Sequence, residues 1–547
     1  MMDKKTIAVM FAALLGLFVL SQVSNLIYKP IPKRAMPVAA TNATATAIVS
    51  NTVAGNAVAP ATAVTATNVA AATKPAPVER PAEQTVALSN DFIRVVFTSW
   101  GGGIRSVELL KHKAGGDGHI TLNEGAPDTA LGLVGVAGAD LNAEFKLEAT
   151  GPSSVVMRAG NVTKTVTLGK DYLLDAVIEG VTPSVGVVIG AAEPTYEKEA
   201  PMYLNADWQD GPKWSNRDLD VVSKRTGKGQ NRELISARWV AVKSQYFAMV
   251  LTGPTNATAI TYSPVDLPRP KDWTAKESPR GVTAFGEWPT SGGKLSVSLY
   301  AGPKEYERLS ALGQSQMEVM DFGSWMDGYT GFFGLVLFKG MAWCHKLAPN
   351  YGMAIILVTI LLKIVFWPIQ AKSIKSMKEM QKFQPQMQKV REKYKDDAQR
   401  MNAEIMKLYK EHKINPFSGC LPMLVQFPVL IAFYKVLSNA IELRGTSFLW
   451  IKDLALPDTV ATVMSVPINP LPLLMTGATV LQQRMTPSTG DAQQQKMMMF
   501  MPLIMLFFFY PSASGLVLYW TVQQVLSIAQ QWWSMRKPDD TALATAK

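Results

Sequence analysis

Beyond Tyr351 this chain consists largely of apolar stretches long enough to cross a bilayer, and that limits what the remainder can be. A hydrocarbon core of about 30 Å takes roughly 20 apolar residues in a helix. Tyr351–Ile369, Gly419–Tyr434 and Val460–Leu481 each read as one span, within limits of 351–369, 418–440 and 460–482. The last stretch, Met497 to Trp533, has 37 residues and contains the turn signature PSASG at 511–515, so it divides into spans over 497–510 and 516–534. Its first arm, at 14 residues, reaches only about 21 Å, so either the bilayer thins there or the arm ends inside protein.

Charge sets the orientation of these spans. Between Ala371 and Pro416 there are twelve Lys or Arg against six Asp or Glu, a net of +6, which places the 370–417 segment in the cytoplasm by the positive-inside rule. The 441–459 loop, with two basic and three acidic residues between Glu442 and Asp458, then faces outward, and the 483–496 loop and the 535–547 tail face inward. At the other end, Thr6–Val23 is eighteen residues without a charge and reads as a retained anchor within 1–29. The Ala, Thr, Val, Asn and Pro of 30–87 offer too little apolar bulk to fold and read as a linker. After it, segments such as NVTKTVTLGKDYLLDAVIEG and ARWVAVKSQYFAMVLTG are β-branched, partly alternating and punctuated by Gly, Pro and Asn, which predicts a large β-sandwich over about 88–305 on the outer side. The 321–350 stretch is apolar but carries Lys339, His345 and Lys346, and reads as an interfacial amphipathic helix.

Catalysis finds little support. Two cysteines and four scattered histidines exclude a disulfide framework and a His or Cys metal cluster, and no phosphate loop, nucleophile elbow or zinc-protease motif occurs. No catalytic residue, metal or cofactor is expected. The formal charge of +11 is concentrated in one segment without an aromatic-interleaved RNA motif, so no sequence-specific nucleic acid partner is expected either.

The chemistry that stands out is polar residues inside apolar spans. Lys363 lies within YGMAIILVTILLKIVFWPI, where a charge costs about 2.5–3.5 kcal/mol on insertion scales. Thr359 is one turn away, Gln426 interrupts the next span, and Trp520, Gln523, Gln524, Ser527, Gln530 and Gln531 form a polar stripe at helical spacing. Together they predict a hydrated cavity. In the basic segment, Met377, Met380, Phe383, Met387, Val390 and Tyr394 recur at steps of three and four, Asp396 and Asp397 mark a turn, and Met401, Ile405 and Leu408 repeat the pattern. This predicts a helical hairpin with a Met-rich seam adaptable to varied apolar partners.

Three long motifs in series, NPFSGCLPMLVQFPVLIAFYKVL, MTPSTGDAQQQKMMMFMPLIM and PSASGLVLYWTVQQVLSIAQQ, resemble the YidC insertases, kin of the mitochondrial oxidase-assembly and chloroplast Albino insertases. The resemblance covers about 325–535 closely and the outer β domain more loosely, by position and size. It implies a multidomain protein of the bacterial inner membrane: five C-terminal α-helical spans plus the N-terminal anchor, a periplasmic all-β supersandwich over 88–320 and a cytoplasmic helical hairpin. It also implies an insertase and chaperone that hydrolyses no nucleotide and is not an enzyme. Its partners would be nascent integral membrane proteins, the lipid bilayer, the Sec translocon and the ribosome. On this resemblance Lys363 is the groove charge, standing where the family carries arginine. Thr359, Gln426, Tyr519, Trp520, Gln523 and Ser527 line the groove or touch clients, with Trp520 where Tyr is common. Met377, Met380, Phe383, Met387, Met401 and Ile405 belong to the cytoplasmic hairpin. A transporter or pore for small solutes would also use an intramembrane lysine, and a carbohydrate enzyme built on the β domain is a third reading.

Overall fold

The computed structural model describes residues 82–536 except 115–117, 182, 196–198, 200, 211–212, 220–221, 224–228, 270–276, 322–328, 396, 413–420, 465 and 486–491. The N-terminal anchor, nearly all of the linker and the tail from 537 lie outside the described residues.

The β half is a sandwich of two antiparallel systems. Thr85–Ser89, Ile93–Thr98, Gly103–Lys113 and His119–Leu122 pair in chain order as a four-stranded sheet, and twelve strands between Leu133 and Pro303 form the other. The alternation in VTKTVTL turns Val162, Lys164, Val166 and Leu168 inward along one strand. Lys164 is satisfied there: its ammonium donates to the carbonyls of Gly101 and Leu131, both at 3.1 Å, and lies 4.3 Å from the Phe145 ring. Gly101 and Gly102 of the glycine triplet form the turn before the third strand, which Gly103 begins. Gly102 has φ +52°, and a Cβ there would come 2.2 Å from Phe145, so only glycine fits. The twenty-residue strand Phe247–Asp266 changes partner along its length, pairing with Lys294–Pro303 through Thr252 and with Arg280–Pro289 from Ala259 onward. Trp239 and Trp288 fill the core beside it.

The described helices are α1 (Tyr306–Leu312), α2 (Tyr329–Leu347), α3 (Tyr351–Lys382), α4 (Gln384–Lys393), α5 (Ala398–Glu411), α6 (Leu421–Asn439), α7 (Pro470–Met485), α8 (Ala492–Phe509) and α9 (Ser514–Arg536). Among the described residues, only Tyr351–Met380 within α3 is both long and apolar enough throughout to cross a membrane by itself. α2 buries Phe333, Leu337, Met341 and Cys344, one face of the helix, against α3 and α6.

Three expectations need correction. The linker does not reach 87, because Thr85–Ser89 already pairs with Ile93–Thr98 as a strand. The 460–482 segment is not one helix: Ala461–Val463 and Val466–Ile468 form a β-hairpin, and α7 begins only at Pro470. Pro467 and Pro470 lack the N–H groups a continuous helix would need, whereas proline at the first helical position costs nothing. The cytoplasmic hairpin also does not start at 370, because α3 runs on to Lys382 and breaks at Phe383 before α4 and α5. Asp397 accepts a hydrogen bond from the Arg400 amide at 2.9 Å and so caps α5, which places the turn where the paired aspartates predict it.

The two halves meet at the C-terminal end of α6. Lys435 pairs with Asp321 at 3.0 Å, and the Gln245 side chain donates to the Ser438 carbonyl at 2.6 Å. Just beyond α6, the Arg444 guanidinium lies 5.4 Å from the Tyr246 ring and 5.6 Å from Phe247. Behind this contact Lys243 and Asp207 form a buried pair at 2.7 Å. Nearby Lys304 is held down to about 7, by burial first and by Lys243 second.

Candidate functional site

α9 is the central strut of the helical half. It packs along α7 on one side and α3 on the other, α8 leans on α7, and α6 rests mainly on α2 while meeting α3 and α9 only sparsely. That sparse meeting leaves a seam among α3, α6 and α9, here called the cleft, and the polar side chains of the apolar stretches converge on it.

α3 and α9 run in the same direction and α6 against them, so the contacts can be followed from the start of α9 toward its end. Near the start of α9 Phe433 and Tyr519 stack with ring centroids 3.8 Å apart and planes 10° from parallel, an apolar plug at that end of the cleft. Below it the Gln426 amide donates to the Tyr519 hydroxyl at 2.8 Å, and Gln523 approaches the Gln426 carbonyl oxygen at 3.5 Å. One turn further along α9, Lys363 donates to the Ser527 hydroxyl at 2.8 Å and to the Gln370 side-chain oxygen at 2.6 Å. Ser527 in turn donates to the Gln523 carbonyl at 2.8 Å, and Gln530 reaches the Trp367 carbonyl at 3.4 Å. The polar ladder thus occupies the part of the cleft beyond the Phe433–Tyr519 stack.

Lys363 is 4 % exposed and, among the described residues, has no carboxylate partner. Two neutral dipoles hold its amine in place, and no carboxylate among the described residues pairs with it to cancel a positive charge there. Pro368, just below, cannot donate to the Ile364 carbonyl, which loosens the helix next to this site. Among the described residues the indole N–H of Trp520 is buried without a hydrogen-bond partner.

Not every residue singled out from sequence joins the cleft. Thr359 is fully buried, and its hydroxyl is spent on the Ile355 carbonyl of its own helix at 2.6 Å. Tyr519 is buried beneath Phe433, so only its hydroxyl takes part. Gln524 turns away to Thr479 of α7 at 3.3 Å. Of the residues expected in the hairpin seam, Met380 and Met387 are buried, Met377, Phe383, Met401 and Ile405 are half-buried, and Phe383 packs on His412 at 4.2 Å. The seam is largely self-covered and leaves Met406 as its exposed methionine. Gln370 and Phe433 are the residues that sequence patterns miss. Each lies seven positions beyond a recognised one, Lys363 and Gln426, on the same helical face.

Residues 343–541 match the family described as 60Kd inner membrane protein. A Geobacter metallireducens protein described as membrane protein insertase YidC is 32% identical over 500 residues, 84% of this chain and 88% of the relative. The chain belongs to the YidC family of membrane protein insertases. A relative of the same description from Oleidesulfovibrio alaskensis is 41% identical over a shorter stretch of 256 residues, so the match spans about half of either chain, 45% of each. A solved structure of an active YidC insertase with its first transmembrane domain resolved shares 20% identity over 81% of this chain and 91% of its own. At a TM-score of 0.35 it is too distant to bear on how these helices are arranged. Membership of the YidC family assigns the chain to the bacterial inner membrane and to insertases, not enzymes.

Proposed function

We propose that this chain inserts and folds integral inner-membrane proteins by admitting their polar tails into the α3–α6–α9 cleft from the cytoplasmic side. The observation that carries the reading is Lys363, buried and positive, bonded to Ser527 and Gln370 at the head of a ladder of neutral polar groups. A polar segment entering the cleft exchanges water for these groups over the inner half of the bilayer, and an acidic tail gains Coulomb attraction in a medium of low dielectric. The Phe433–Tyr519 plug stops ions from following it out.

The driving force is the client's own. Twenty apolar residues supply about 6–12 kcal/mol on entering the bilayer, enough to draw a short tail with one or two charges across without nucleotide. The cleft lowers the barrier by shortening the dry part of the path. α7 and α8, at 16 and 18 residues, reach about 24 and 27 Å, so the membrane beside them is thinner than usual.

In this reading α3, α6, α7, α8 and α9 are five spans, with the N-terminal anchor as a sixth and α2 at the interface. The net charge of +6 between Ala371 and Pro416 holds α4 and α5 in the cytoplasm, and the β half is a periplasmic supersandwich. The exposed basic face of α4 and α5 suits a ribosome. The Sec translocon and the chaperone role rest on the family resemblance alone.

The test is reconstitution. Purified chain in liposomes without nucleotide should insert a small two-span protein, scored by protease protection of its translocated loop, while empty liposomes do so far more slowly. Equal protection in both would end the proposal.

A further inference from the structure

The Ala461–Ile468 hairpin is an unusual object to leave in water. Its strands pair Ala461 with Ile468 and Val463 with Val466, and almost every described side chain on both faces is exposed. Met464 at the tip is 94 % exposed and held at φ +50°, a left-handed conformation costly for a long side chain. From Thr459 to Gln483 the chain carries no charge. A two-stranded hairpin with no layer packed against it is marginal in water, and exposed apolar tips add to the cost.

We propose that the outer leaflet of the bilayer covers this hairpin, making it an interfacial anchor beside the outer ends of α7 and α8; the proposal rests on reading those helices as membrane spans. The base of the hairpin is pinned at that level. Asn469 donates to the Tyr510 carbonyl at 2.8 Å and the Tyr510 hydroxyl donates to the Pro467 carbonyl at 2.5 Å, and Tyr510 directly follows α8. The Asp458 carboxylate accepts from the Leu471 amide at 2.7 Å and so seats the start of α7. Leu473, Leu474, Phe507 and Phe508, near the same ends of the two helices, are exposed and apolar, so the apolar surface continues from the helices onto the hairpin.

Backbone chemistry sets the depth. The outer edges of a two-stranded hairpin have N–H and C=O groups without ladder partners, which the hydrocarbon core does not tolerate, so the strands lie at headgroup level and only the side chains reach the acyl region. A second apolar tip stands nearby: Leu449, at φ +51° and 76 % exposed, precedes Trp450, whose indole donates to the same Asp458 at 3.1 Å. An indole with one polar end satisfied and an apolar body suits the interface.

The test uses full-length chain with Cys344 and Cys420 replaced by alanine and one new cysteine, Met464→Cys or Phe507→Cys, labelled with a polarity-sensitive fluorophore in phosphatidylcholine–phosphatidylglycerol liposomes without client. Val463→Cys serves if Met464→Cys folds poorly. At a depth of about 5–10 Å the hairpin probe should lose about half its emission to acyl-chain spin-labelled lipid and little to aqueous iodide. If iodide quenches it while lipid quenches only the Phe507 probe, the spans stand and the anchor is wrong. If lipid quenches neither probe, the span reading fails and the anchor with it. A hairpin probe that becomes protected only when client is added would make the occupant a client segment and overturn the proposal.

Discussion

Lys435 of α6 pairs with Asp321 at 3.0 Å, and among the described residues the second oxygen of that carboxylate is buried without a hydrogen-bond partner. Lys435 lies nine residues from Gln426, so the helix that holds the β half also forms one wall of the cleft. Lys435→Ala strands a largely buried carboxylate and should lower stability by about 1–3 kcal/mol, seen as a fall in the thermal midpoint of purified protein in detergent. Replacing both residues, Lys435→Met with Asp321→Leu, should recover most of that loss, because an apolar pair carries no desolvation cost. An unchanged midpoint for Lys435→Ala would mean the pair does not hold the halves together.

Lys164 makes stability depend on pH. Burial holds its ammonium down to about 7 from the ordinary 10.5. Between those values the unfolded chain binds a proton that the folded chain does not, so raising the pH through this window favours the folded state, and the penalty is complete below about 7. Lys164→Met removes the titration. The midpoint of the parent relative to this variant should therefore rise from pH 7 to pH 9.5, and a constant difference would show that Lys164 keeps its proton when folded.

Gln399 is exposed near the start of α5, in the segment with a net charge of +6. A cysteine placed there, with Cys344 and Cys420 replaced, should resist a membrane-impermeant maleimide applied outside intact cells and react once the membrane is opened. Labelling in intact cells would reverse the whole topology.

What the sequence reveals of this site is the side chains that are expensive where they stand. Lys363, Gln426, Gln523 and Ser527 are polar residues inside apolar stretches, and helical periodicity alone puts Gln523 and Ser527 on one face. Gln370 escapes notice because it follows the apolar run, where a glutamine costs nothing. The Phe433–Tyr519 stack escapes because nothing local pairs residues so far apart in the chain. Hydropathy takes Val460–Leu481 for one span because it registers composition and not the missing N–H groups of Pro467 and Pro470. The methionine seam is legible as apolar, but periodicity does not say what covers it, and Met380 and Met387 are covered by the protein itself. In the β half, alternation yields the strands and their inward faces, yet the change of partner along Phe247–Asp266 depends on contacts with strands later in the chain.

The central claim is that Lys363 works as a fixed positive charge in a polar cleft, and charge substitution in liposomes tests it most directly. Insertion rates of a single-span client with an acidic translocated tail should be compared for the parent, Lys363→Arg, Lys363→Ala and Lys363→Glu, each checked for equal folded protein in the vesicles. Arginine keeps the charge and should stay near the parental rate, alanine should fall severalfold, and glutamate should fall furthest because it repels the tail. A client with a neutral tail should be affected less throughout. If the alanine and glutamate variants insert the acidic client at the parental rate, the charge at Lys363 plays no part in insertion and the account of the cleft is wrong.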